Sequence, residues 1–570
     1  MRAEVWAPHA GTVDVVLVDG SHHRLERDAT GWHRGGPELV DAEEYRFSLD
    51  GGDPLPDPRS HWQPDGIDGP SAAVDHGAFP WTDDEWQGFQ LPGSVVYELH
   101  VGTFSAEGDF DAAILHLDHL VDLGVDAVEV MPIAEFSGER GWGYDGVLLW
   151  APHHAYGGPG AFKRFVDACH RRGLGVILDV VYNHLGPVGN HLSRFGPYFH
   201  DRHQTPWGDA VNLDGPDAAE VRAFIIGNAA HWFVDHHVDG LRLDAVHALV
   251  DESPRHLLEE LAEEVEHLAA NVRRPLWLIA EDDRPDTKVV LGRDAGGHGL
   301  HARWADDLHH ALHAAITGET SSYYAAFGPV GRIAEAIDRL LLRSDEGVPA
   351  AVSSHRFVTC AQNHDQVGNR ATGDRLSHQA GLDAALAAAA IVLLAPGTPM
   401  LFQGEEWAAS APFPYFCDVD DPELAAAIRD GRRREFAEFG WDPASIPDPL
   451  DPATAAAAHL DWSEVGVDDH ARAHEWYRAL LRLRRERPDV TDGRRDRTSV
   501  HADEATRLVV VRRERTAVLA NLGTEAAAVP PSLLGAGAAS VLLASAGGLE
   551  PALDGSITLP AGVTAVLATG

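Results

Sequence analysis

The chain is short of lysine, of cysteine and of positive charge. Lys163 and Lys288 are its only lysines, the other basic residues are arginine, and the formal net charge is −43. Nucleic acids and anionic membranes are recognised through basic patches, so partners of both kinds are excluded, and a polyphosphate would be repelled without a screening metal. A neutral substrate tolerates such a field. Arginine and alanine in place of lysine fit a GC-rich coding sequence; the acidity fits adaptation to salt equally well, and composition does not separate the two. The three cysteines, Cys169, Cys360 and Cys417, share no metal-ligand spacing and cannot all pair. Cys360 lies in an apolar run and reads as a small core residue, so reduced thiols and a cytoplasmic location are expected. No run of about 18 apolar residues is present, so no membrane span is expected. The opening residues, Met1 to Trp6, lack the apolar stretch of a secretory signal.

At 570 residues the chain exceeds what one compact core holds, and two to four domains are expected. Residues 1–88 carry short β-rich runs (Glu4–Pro8, Val13–Val18, Gly31–His33) and a turn-rich hairpin pattern over Glu44–Asp53. A Pro-, Asp- and Gly-rich passage, Pro54–Pro70, leads out of this β-rich region. From Val95 strands alternate with amphipathic stretches, the pattern of parallel β/α architecture. Candidate strands are Val95–Leu99, Ala127–Val130, Gly175–Tyr182, Leu241–Asp244, Leu276–Glu281, Ala302–Trp304, Phe357–Ala361 and Pro399–Gln403. Candidate helices include Asp111–Leu123, Ala161–Arg172, Ala218–His236, Arg255–Ala269, Ala380–Leu394 and Ala471–Arg485. The predicted fold is α/β: a (β/α)8 TIM barrel over residues 89–495, flanked by an N-terminal β-sandwich (1–88) and a C-terminal β-sandwich (496–570). An insert at about 185–215, rich in Gly, His and Pro, is too long for an ordinary βα loop and is expected to fold over the barrel mouth.

Three carboxylates close or follow apolar strands: Asp244 after Gly240-Leu241-Arg242-Leu243, Glu281 after Trp277-Leu278-Ile279-Ala280, and Asp365 after Phe357–His364. A charge at the end of a buried strand needs a partner or a use. In barrels of this kind the reactive groups sit at the C-terminal strand ends, and glycoside hydrolysis needs a carboxylic acid and a carboxylate there. Arg242 lies two residues before Asp244, on the same strand face, where it can hold Asp244 ionised as a nucleophile. Glu281 leaves a more apolar strand, where desolvation favours the protonated form a general acid requires. Asp365, paired with His364, is placed to contact sugar hydroxyls and to stabilise positive charge at the reacting carbon.

With Asp179-Val180-Val181-Tyr182-Asn183-His184 and Gly141-Trp142-Gly143-Tyr144-Asp145, the segments ending in Asp244, Glu281 and His364-Asp365 resemble the α-amylase family of retaining glycoside hydrolases and transglycosylases. The resemblance spans essentially the whole chain. It implies that Asp244 is the nucleophile, Glu281 the acid/base and Asp365 the transition-state stabiliser. It also implies that Tyr144 stacks on the sugar at the reactive subsite, with His184, Arg242 and His364 hydrogen-bonding around it. Further passages (Pro56–Gly66, Ala280–Arg284, Trp304–His310, Gln362–Arg370 and Pro412–Phe416) look like those members that hydrolyse the α-1,4 bond beside the terminal trehalose of maltooligosyltrehalose. That likeness adds His247, Asp306, Asp307, His310, Gln366 and Asn369 to the substrate-binding set. It also implies a maltooligosyltrehalose synthase as pathway partner. The nearest alternative is an α-1,4-glucan branching enzyme; a glycan-binding relative that has lost catalysis would not keep all three acids.

The 34 histidines invite a metal reading, yet His153-His154, His236-His237 and His309-His310 are adjacent pairs that should diverge and chelate poorly. Some α-amylases use the residue equivalent to Asn183 as a calcium ligand, but the insert lacks an acidic cluster to complete such a site. No metal and no cofactor are therefore expected.

Overall fold

The computed structural model describes residues 2–344, 347–438, 441–442, 445–535 and 539–570, without the side chains of Glu435 and Glu438. Eight parallel strands close into a barrel: β1 (Val96–Leu99), β2 (Ala127–Val130), β3 (Gly175–Val180), β4 (Gly240–Leu243), β5 (Trp277–Ala280), β6 (Ala302–Trp304), β7 (Phe357–Cys360) and β8 (Thr398–Phe402). Neighbours in space are neighbours in sequence, and β8 returns to pair with β1. The strands are predominantly apolar and, but for Trp277 at the start of β5, buried throughout, as a parallel sheet covered on both faces requires. Outside them, Leu257–Val272 buries Leu257, Leu258, Leu261, Ala262 and Val265 at helical spacing. The helix Leu382–Leu394 is apolar all round because the C-terminal sheet covers the face that would otherwise meet water.

The predicted barrel strands are present, with ends shifted by at most two residues. Other expectations need correction. The expected helix 111–123 is two pieces, Phe110–Ile114 and Leu117–Leu123. The expected helix 380–394 begins at Leu382, because Gly381 at φ 83° separates it from a short turn of helix over Leu376–Ala380. In the N-terminal region the polar strands His22–Arg24 and Glu26–Arg27 lack the alternation that reveals a strand, and they complete two small antiparallel sheets. The C-terminal region forms a five-stranded antiparallel sheet faced by a two-stranded one. The insert forms a hairpin, Phe199–Thr205 with Gly208–Val211. Among the described residues no helix is long and apolar enough to cross a membrane.

The N-terminal sheets meet the barrel through a knot of imidazoles. His61 Nδ1 lies 2.9 Å from His76 Nε2, and both rings pack on His231 of the helix Ala218–Asp235. His236 beside them is wholly buried, and neither of its ring nitrogens has a hydrogen-bond partner among the described residues. Burial, reinforced by the neighbouring imidazoles and Lys163, depresses His61 and His236 well below the ordinary histidine range and His76 to about 3. The unfolded chain therefore takes up protons below pH ~6.5 that the folded chain refuses, and stability is lost as pH falls. Replacing His236 with Phe, which suits its neighbours Phe162 and Trp232, removes one such group. Below pH ~6.5 the H236F variant should lose stability more slowly than wild type, by up to about 1.4 kcal/mol per pH unit, in denaturant titrations. Identical slopes would show that His236 is not one of the groups refusing a proton.

Candidate active site

The backbone ladder runs one residue past β4 and β5. Asp244 N bonds to Val180 O at 3.1 Å and Glu281 N to Leu243 O at 2.9 Å, so both acids are launched from fixed backbone at the barrel rim. Immediately after Asp244, Ala245 adopts φ 38°, a strained turn for a non-glycine residue, and its N–H then donates to Glu281 Oε2 at 2.9 Å.

Arg242 lies between the acids, 1% exposed at its side chain. Its Nη1 donates to Asp179 Oδ2 at 2.7 Å and Asp244 Oδ1 at 3.0 Å, and its Nη2 lies 2.8 Å from Glu281 Oε2. The guanidinium also stacks over Trp304, 4.1 Å from the ring centre. Asn183 Nδ2 supplies the other Asp244 oxygen, Oδ2, at 2.7 Å, and the Asp244 carbonyl at 2.8 Å. Burial raises the pKa of both Asp244 and Glu281, and Arg242 opposes this in each. Their mutual contact separates them: it lowers the proton affinity of Asp244 and raises that of Glu281.

A second cation faces the same centre. His364 Nδ1 is 2.5 Å and its backbone N 2.8 Å from the Glu98 carboxylate, while Nε2 is 2.8 Å from the Tyr144 hydroxyl. Tyr144 gives its proton to Asp179 Oδ2 at 2.7 Å, so His364 Nε2 must donate as well. Burial disfavours the imidazolium, but Glu98 outweighs it and the pKa of His364 is raised. The expected pairing of His364 with Asp365 is thus corrected: the side chain that donates to Asp365 is Asn369, and His364 acts on it only through space. Burial raises Asp365, with His364 opposing.

A cavity of about 590 Å³ brings together Asp244, Glu281, Asp365, Tyr144, His184, Arg242, His247, His364 and Asn369. The other predicted residues are not in its lining. Asp306 is half-buried, and burial with the nearby Glu281 and Asp365 raises its pKa to about 7. Asp307 accepts Leu342 N at 2.7 Å and holds backbone. His310 packs on Tyr323, Tyr324 and Phe327, and Gln366 is tied by its backbone to Asn363 Oδ1 at 2.8 Å. The sequence reading missed Trp207, Tyr415 and Arg432 in the wall. Trp207 sits at the hairpin tip and stacks on His184, ring centres 4.6 Å apart and planes within 6°; the Pro-Trp-Gly turn inside the insert was the available signal. It also lines a second cavity of about 580 Å³ that shares Tyr144, Asp145 and His184 with the first, making one long cleft. Tyr144 is placed by Gly143, whose φ is 94° and where a Cβ would lie 2.0 Å from Pro132 O.

A further correction concerns the histidine pairs. His153 and His154 do not diverge: the chain turns into a 3-10 helix between them, and both Nδ1 atoms reach Glu135 Oε1, at 3.1 and 2.7 Å.

An eight-stranded barrel with acids at this rim is the arrangement of the α-amylase class of glycoside hydrolases, and the family described as "Alpha amylase, catalytic domain" matches residues 72–197. Residues 493–567 match a domain of unknown function, DUF3459. A malto-oligosyltrehalose trehalohydrolase from Arthrobacter ramosus is 52% identical over 88% of this chain and 90% of its own. One from Saccharolobus solfataricus is 39% identical over 85% and 84%. By these similarities the chain belongs to the malto-oligosyltrehalose trehalohydrolase family. A crystal structure of a putative α-amylase from Salmonella typhimurium superposes with a TM-score of 0.89 at 36% identity, covering 100% of this chain and 97% of that one. A branching enzyme, GlgB of Vibrio parahaemolyticus, is 36% identical over 44% of this chain and 37% of its own.

A lysine at position 242 offers one ammonium where three carboxylates now share a fork. Arg242→Lys should lower kcat by about 10²–10³-fold. With the same charge but fewer contacts to the carboxylates, the carboxyl pKa values rise, so the acid limb of the pH–rate profile should move to higher pH. An unmoved limb with near-normal kcat would show that the fork is dispensable.

Proposed function

We propose that the protein hydrolyses the α-1,4-glucosidic bond next to the terminal trehalose of maltooligosyltrehalose, releasing trehalose and a shortened glucan, by a retaining double displacement. The observation that carries the chemistry is the asymmetry of the two acids around Arg242. Asp244 accepts on both oxygens, from Arg242 and Asn183, which suits an ionised nucleophile. Glu281, whose proton affinity the neighbouring Asp244 raises, suits the acid that protonates the departing glycosidic oxygen. Asp244 then forms the glycosyl ester, and Glu281 as base activates the water that hydrolyses it. Asp365 faces the positive charge that develops at the anomeric carbon. Tyr144 and His184 border the sugar at the reactive subsite, with His247, Asn369 and Trp207 further along the cleft; Asp306, Asp307, His310 and Gln366, outside the lining of the cavity, complete the substrate-binding set.

The choice of substrate is supported by relatives named for that activity that match most of this chain, whereas the branching enzyme matches less than half of it. In this reading residues 89–495 carry the chemistry, residues 1–88 and 496–570 flank it, the enzyme works in the cytoplasm, and a maltooligosyltrehalose synthase supplies its substrate.

Incubation with maltooligosyltrehalose should release trehalose, and incubation with amylose should leave α-1,6 branching unchanged. New branches without trehalose would replace the hydrolase by a branching enzyme. Asp244→Asn should reduce turnover by at least ~10³-fold while sugar binding, measured calorimetrically, stays close to wild type. Near-normal turnover would remove Asp244 from the nucleophile role.

A further inference from the structure

The hairpin that brings Trp207 to the cleft contains a bulge. Register passes from His200↔Ala210 directly to Gln204↔Asp209, so residues 201–203 are looped out of the ladder, and His200 and His203 turn toward Asp214. His200 Nε2 lies 3.3 Å from Asp214 Oδ1 and His203 Nε2 3.5 Å from Asp214 Oδ2, and one ligand atom from each of the three residues lies within 4.8 Å of the others. Both Nε2 atoms are shielded from solvent, yet neither makes an aligned hydrogen bond to the carboxylate beside it. Ligand atoms around a tetrahedral ion with bonds of about 2.0–2.1 Å stand ~3.3 Å apart, and each imidazole lies close to that distance, 3.3 and 3.5 Å, from its own oxygen of Asp214.

The two other clusters of this kind differ. In Glu135–His153–His154 both imidazoles already hydrogen-bond the carboxylate, and in His61–His76–His231 two imidazoles bond to each other, with Lys163 close by.

We propose that His200, His203 and Asp214 bind a divalent transition metal ion of the zinc type at the base of the Trp207 hairpin. Two imidazoles and a carboxylate are zinc's usual donors, and water completes the shell. Asp214 is oriented for this by Glu252 N, which donates to Oδ2 at 3.0 Å. Arg202 now bonds Asp214 Oδ1 at 3.3 Å; it is half-exposed, and Glu252, 3.7 Å from its Nη2, is the partner it turns to when the ion takes the carboxylate. The ion fastens the bulge to the segment entering the helix Ala218–Asp235, and so fixes the arm on which Trp207 rests against His184.

The test is titration of the metal-stripped full-length chain with Co²⁺ and Zn²⁺ at pH ~7.5, where imidazole is neutral. About one Co²⁺ per chain should bind with the visible absorption of a four-coordinate ion, be displaced by Zn²⁺, and raise the melting midpoint. His200→Gln and His203→Gln should each weaken binding by at least ~10-fold, and His153→Gln should leave it unchanged. A circular dichroism spectrum and a melting midpoint in EDTA equal to wild type establish that the variants fold. X-ray absorption of the wild-type zinc form, which needs no variant, should report two imidazole donors. No saturable binding, equal affinity in the His200 and His203 variants, or fewer than two imidazoles on the ion would each overturn the site.

Discussion

One guanidinium holds the centre of this molecule together. Arg242 is surrounded by Asp179, Asp244 and Glu281 and seated on Trp304, so a single buried cation neutralises charges launched from three different strands. Removing two charges from water costs more than one contact usually returns, and three acids around one base are tolerable only when each also has other donors. Those donors are present: Tyr144 for Asp179, Asn183 for Asp244 and Ala245 N for Glu281. The strain at Ala245 and the glycine at 143 are consequences, since each places one of these donors.

The arrangement leaves the centre short of positive charge, and that deficit is its chemical asset. His364, held charged by Glu98, is the second cation, yet burial first, and neighbouring carboxylates after it, leaves Asp244, Glu281 and Asp365 with raised proton affinities and lifts Asp306 to about 7. A site in which protons are shared among neighbouring carboxyls favours the positive charge of an oxocarbenium ion over a neutral ground state. The same field disfavours anionic ligands, consistent with a net charge of −43 across the chain.

The barrel was legible because its strands are short apolar runs at regular intervals, and the acids because a carboxylate at the end of such a run needs an explanation. The i, i+2 relation of Arg242 and Asp244 follows from strand geometry alone and is present. Contacts between distant segments were not legible. Nothing local ties His364 to Glu98 rather than to its neighbour Asp365, a partnership that spans 266 residues. Adjacent histidines diverge on an ideal strand or helix, whereas His153 and His154 straddle a turn and converge. The bond from Leu342 N to Asp307 likewise joins segments 35 residues apart, and no local pattern announces it.

The division between barrel and loops explains why chemistry and substrate choice rest on different evidence. The acids stand on backbone locked into the barrel ladder, so their geometry changes little with the loops around them. Trp207, Tyr415 and Arg432 reach the cleft from outside the barrel strands. Such residues change a cleft's length and shape without disturbing Arg242 and its acids, and this is how one catalytic centre serves hydrolases and transferases alike. The hairpin is the extreme case: it meets the catalytic wall through the Trp207–His184 stack, and its own fold contains a bulge that a uniform ladder would not need. Whatever fixes that bulge therefore sets where Trp207 rests against His184, independently of the acids around Arg242.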